Sequence, residues 1–97
     1  MKLNKNDKAI LEEFCNACIP GCYRSGNVYV YYSFVDFLQQ TTAVALKNKK
    51  ITIEEKQIIH DDNEEFLNLK FNSDNEVKFH DLACKTLSIL RSIYPIE

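Results

Sequence analysis

The chain has no tryptophan, one methionine, two glycines, two prolines and two arginines among 97 residues. With so little glycine, the backbone cradles that wrap phosphate groups have almost no material, and neither a nucleotide loop nor a dinucleotide fingerprint is present. Long hydrophobic runs are missing as well. No stretch approaches the roughly 18 apolar residues of a membrane span, and the opening MKLNKNDKAILEEF alternates charge with single apolar residues where a signal peptide would have an apolar core. Charge of one sign is also lacking. Twelve Lys and Arg stand against 14 Asp and Glu, a net charge of −2, so no long-range field draws in a phosphate backbone or an anionic membrane. These absences predict a cytoplasmic protein, in which four cysteines are expected as free thiols or metal ligands and not as disulfides.

What is present suits one globular domain over residues 1–97. A hydrophobic share of 45% and an aromatic share of 11% are enough for a modest core and exclude disordered and fibrous classes. Asn, Lys and Ile, whose codons are AT-rich, supply 28 residues, which points to a low-GC microbe or a virus infecting one.

The apolar spacing predicts an all-α fold, a small bundle of four or five helices. Leu11, Phe14, Cys15 and Cys18 fall on one side of a helix over 6–19, with Lys8, Glu12, Glu13 and Asn16 largely opposite, and Pro20-Gly21 stops it. A long helix over 28–48 follows. Its first half is apolar nearly all round, and the Val and Tyr run keeps open an α+β alternative with a strand at 28–35. Thr52-x-x-Glu55 reads as a capping box, Asp62 with Glu65 repeats the logic before a helix of about ten residues, and Ser73-x-x-Glu76 opens the last helix. That helix carries Phe79, Leu82, Ala83, Thr86, Ile89, Leu90, Ile93 and Tyr94 along one stripe. The alternation of Leu67, Leu69, Phe71, Val77 and Phe79 belongs to the same α+β alternative, as a hairpin near 66–80.

The segment FCNACIPGCYRSGN holds three of the four cysteines. Beside Leu11 and Phe14, Cys15 and Cys18 are expected to pack as small apolar residues, while Cys22, just past the Pro-Gly turn, is expected to be accessible. The rival class is a zinc-stabilised domain, with Cys15, Cys18, Cys22, His80 and Cys84 as donors and His60 as a substitute, because Cys-x-x-Cys and a His/Cys pair four apart are two halves of a tetrahedral site. A redox dithiol fits poorly, since the pair lies near a helix C-terminus, where the dipole disfavours thiolate. No enzyme is expected. Cys22 with His60 or His80 is the one conceivable nucleophile–base pairing, His60 reads as a solvated residue in a polar connection, and His80 stands at the edge of its helix's stripe. Asp61, Asp62, Glu64 and Glu65 lack the spacing of a cation loop and suit helix starts.

Two surfaces remain. Lys47, Lys49 and Lys50 form the one dense basic patch; their expected role is to meet carbonyls at a helix end, with nucleic acid contact as a third functional class. Six aromatics (Tyr23, Tyr29, Tyr31, Tyr32, Phe34 and Phe37) crowd into fifteen positions. Tyr29, Tyr31 and Tyr32 span most of a helix circumference, so they cannot all face one core stripe. The leading expectation is therefore a small non-catalytic protein-binding protein, of the inhibitor, immunity, antitoxin or adaptor kind. Its partner, another protein or a second copy of the chain, would be met through Cys22, Tyr23, Tyr29, Tyr31 and Tyr32 and the turn 22–27.

Overall fold

The computed structural model describes residues 3–25 and 30–96. Over these residues the chain forms five α-helices, one 3-10 turn and no strand. The helices are α1 (Lys5–Cys15), α2 (Val30–Leu46), α3 (Ile53–His60), α4 (Glu64–Leu67) and α5 (Asp74–Ile93), and the 3-10 turn is Gly21–Arg24. Helices α1, α2 and α5 pack on one another, α3 lies on α5, and the 3-10 turn lies on α2. The all-α expectation holds. The strand alternative fails over 30–35, which is helical, and its first two positions, Val28 and Tyr29, lie outside the described residues.

Local chemistry sets most of the helix limits. Asn4 caps α1 by accepting from the Asp7 amide at 2.7 Å. Thr52 and Glu55 complete a reciprocal capping box at the start of α3, and Ser73 accepts from the Glu76 amide to start α5. Asn48 takes a left-handed conformation (φ 59°) after α2. The amides of Asn48 and Lys49 then close on the carbonyls of Ala45 and Val44, a Schellman ending.

Helix α1 ends four residues earlier than the spacing predicts. Asn16 turns its side-chain amide back onto the Glu12 carbonyl, and Gln39 of α2 donates to the carbonyls of Phe14 and Ala17, both at 2.9 Å. These partners release the chain from the helix before Pro20 acts. Helix α4 is likewise a single turn of four residues, not ten. Beyond it, half-buried Leu67, Leu69 and Phe71 alternate along an irregular connection laid over the core, so the period-2 pattern belongs to a covering segment and not to a hairpin.

The core joins Leu11 and Phe14 of α1, Val35, Leu38 and Ala45 of α2, Ile59, Phe66, and Phe79, Ala83, Leu87 and Leu90 of α5. The α2 positions fall at spacings of three and seven, one helical stripe. Thr41 and Thr86 are buried in the same interior, and neither hydroxyl has a partner among the described residues. Because an unpaired buried hydroxyl is unfavourable by about 1–3 kcal/mol, Thr86→Val is expected to raise the urea midpoint of unfolding. Leu38→Ala, in contrast, is expected to lower stability by about 2–5 kcal/mol in the same titration, through lost transfer energy and the cavity left behind.

Candidate functional site

Two places bring chemistry-bearing side chains together. The first is internal. Tyr23, placed by the 3-10 turn, is fully buried, and its hydroxyl hydrogen-bonds with Nδ1 of His80, which is 5% exposed on α5. The rings of Phe66 and Phe71 enclose the imidazole, with centroids 4.9 and 5.1 Å away. Burial lowers the His80 pKa below its ordinary value near 6.5, against the opposing pull of the Leu67 carbonyl, Asp81 and the Phe66 carbonyl. Burial also pushes the Tyr23 phenol far up. Both groups are therefore neutral near pH 7. The other ring nitrogen, Nε2, faces Cys84 Sγ at 3.5 Å. Burial, then Asp81, also pushes the Cys84 thiol up, so this trio forms a structural relay and not an activated nucleophile.

The structure corrects several expectations about the cysteines and histidines. Cys15 is only half-buried and Cys18, beyond the end of α1, is exposed, so neither is a core residue. Cys22 is half-buried against the core and its thiol is pushed up by burial and by Glu76. His60 is not a solvated residue; it ends α3 and donates from Nε2 to the Tyr94 carbonyl at 2.7 Å. His80 is interior, not at a boundary. For zinc, the proposed donors Cys15, Cys18, Cys22, His80 and Cys84 fit poorly. His80 and Cys84 do meet, but one imidazole nitrogen is held by Tyr23, and no three His, Cys, Asp or Glu side chains gather as ligands among the described residues.

The second place is a surface groove of about 440 Å³ between the first turn of α2 and the segment that leads into α4. Val30, Tyr31 and Phe34 form one wall; Asp62, Asn63, Glu64, Glu65 and Phe66 form the other. The Tyr31 hydroxyl donates to Glu65 Oε2 at 2.9 Å and so ties the walls together; this bond to a carboxylate raises the Tyr31 pKa. Phe34 meets Phe66 edge-on with centroids 4.8 Å apart, and Val30 stands 67% exposed at the rim. Among the described residues, three carboxylates and no basic side chain line the groove. The capping box expected from Asp62 and Glu65 does not form: Asn63 precedes α4 without a side-chain cap, Asp62 accepts from the Glu64 amide, Glu65 accepts from Tyr31, and the Glu64 carboxylate is exposed.

Of the residues expected on a partner face, Tyr31 lines this groove. Tyr32 is half-buried on a neighbouring side of α2, under the Arg24 guanidinium at 4.6 Å from its ring centre. Tyr23 is the clear correction, because a fully buried side chain has no surface to offer. Phe34, Phe66 and the acidic residues of the groove were not legible as a site. Their aromatic and acidic signals lie about 30 positions apart, and no local pattern says that they meet. Lys47, Lys49 and Lys50 are exposed at the other end of α2, next to its Schellman ending. Among the described residues no helix is long and apolar enough to cross a membrane. No family model matches the chain, and no curated protein or solved structure is similar to it.

The relay makes a pH dependence. The unfolded histidine takes a proton near pH 6.5 and the folded one resists it, so stability is present above that pH and is lost as pH falls toward the lowered folded-state value. Urea titrations between about pH 7.5 and about pH 5 are expected to show a loss of up to about 1.4 kcal/mol per pH unit in that window, and His80→Gln is expected to remove this component.

Proposed function

We propose that this chain is a small protein-binding protein and that the α2–α4 groove is its contact face. The observation that carries the proposal is the pairing of exposed Val30 and the rings of Tyr31 and Phe34 with an opposite wall that carries three carboxylates. Concave aromatic surface with a charged rim is what interfaces use: the rings supply contact area at low entropic cost, and the charges select and orient the partner. The proposed setting is the cytosol, where four free thiols stay reduced.

The arrangement also explains why a binding role suits the groove better than chemistry. Its carboxylates are exposed, and none is held in a dry pocket opposite a second titratable group. The internal relay, which does hold titratable groups together, has its imidazole committed on both nitrogens.

The test is co-purification of the tagged chain from its native host, comparing the natural sequence with Val30→Asp and with Tyr31→Ala. Both variants are expected to keep the helical circular dichroism of the parent while losing the associated protein. An identical set of associated proteins in all three samples would sink the assignment of this face.

A further inference from the structure

The opposite end of α2 carries a surface that complements the groove. Loop 47–50, joining α2 to α3, places Lys47, Asn48, Lys49 and Lys50 all in the exposed class. It is a defined projection. The Schellman ending fixes its first half, and the Tyr94 hydroxyl donates to the Lys49 carbonyl at 2.6 Å, anchoring its second half to the end of α5. Beside it, Lys49, Lys50 and Lys56 share a surface with Ile51, Ile93, Tyr94 and Pro95, and Ile53 and Ile96 stand 72% and 56% exposed around Lys56. The groove offers three carboxylates with exposed Val30 and aromatic walls, and this end offers lysines with exposed isoleucines. Both faces therefore carry apolar surface and charge, of opposite sign.

We propose that the occupant of the α2–α4 groove is loop 47–50 of a second copy of this chain, so that the protein associates head to tail. This rests on the groove being the contact face and names its partner. The two surfaces sit at opposite ends of one helix, so the contact is heterologous: every bound copy leaves one groove and one lysine loop open, and the assembly grows until a ring closes or continues as a filament. The lysines enter between the aromatic walls toward Glu64 and Glu65, and Ile53 and Ile96 add apolar area at the rim.

Sedimentation velocity of the purified chain over a range of concentrations tests this, with two sets of charge variants. At low salt the mass is expected to rise with concentration, and added salt is expected to reverse the rise. Glu64→Lys with Glu65→Lys should weaken association roughly tenfold or more, as should Lys49→Glu with Lys50→Glu. An equimolar mixture of the two reversed proteins should associate again, because each then presents the sign the other lacks. Glu64→Gln with Glu65→Gln, which keeps an acceptor for Tyr31, checks that any loss comes from charge and not from a damaged groove, with folding followed by circular dichroism. A chain that stays monomeric at low salt overturns the proposal, as does association that ignores salt or survives both reversals. If the chain is monomeric yet Val30→Asp still strips a host protein from it, the contact face stands and only the second copy as occupant is lost.

Discussion

A single buried hydrogen bond, between the Tyr23 hydroxyl and His80 Nδ1, joins a four-residue turn to α5 across 57 positions of chain. Both partners are polar groups taken out of water, and each satisfies the other where an unpaired one would be costly. Around them the aromatic side chains form a continuous path. Phe14 packs on Phe79, Phe79 on Tyr23, Tyr23 on Phe71 and Phe66, and Phe66 on Phe34 and Tyr31. The path begins in α1 and ends at the floor of the groove. Because Phe66 touches both His80 and the groove wall, the position of the one-turn helix α4 depends on the interior bond.

This dependence gives the groove its rigidity. Helix α4 has one turn, too few residues to be stable by its own hydrogen bonds. Phe66 beneath it, the bond from the Glu64 amide to Asp62 before it and the Tyr31–Glu65 bond across the groove hold it in place. At the other end of the molecule, Arg91 donates to the carbonyls of Ile59 and Asp61, His60 to Tyr94, and Tyr94 to Lys49. These bonds fasten the end of α3, the end of α5 and the lysine loop to one another. Side chains reaching backbone carbonyls at or beyond helix ends thus shape this second surface, where a helix leaves carbonyls it cannot satisfy itself.

Helix type and several starts were legible because their causes are local. A capping box needs four consecutive residues, a buried stripe needs about three turns, and both are written in the chain at Thr52–Glu55 and along α5. The early end of α1 was not legible, since Gln39, which accepts the task of meeting the Phe14 and Ala17 carbonyls, lies more than 20 residues away. The cysteines followed from that error: once α1 stops at Cys15, Cys18 no longer faces the core. Tyr23 was misplaced for a related reason. A tyrosine in a turn between helices looks exposed until a distant histidine supplies the partner that lets its hydroxyl be buried.

By itself the sequence determined the helical class, the caps of α3 and α5, the apolar stripe of α5 and the crowding of aromatics at the start of α2. All of these arise from neighbours within a few turns, whose spacing is fixed by helix geometry. Only the tertiary structure decided that Tyr23 is core, that four residues suffice for α4, and that Tyr31 and Phe34 face Asp62, Glu64 and Glu65 across a groove. Those outcomes depend on side chains separated by 30 positions or more, and such pairs meet only when the whole bundle closes. Tyr29, Tyr31 and Tyr32 within four residues did signal that at least one of them must leave the core. That Tyr31 meets a carboxylate followed from the packing of α2 against α4.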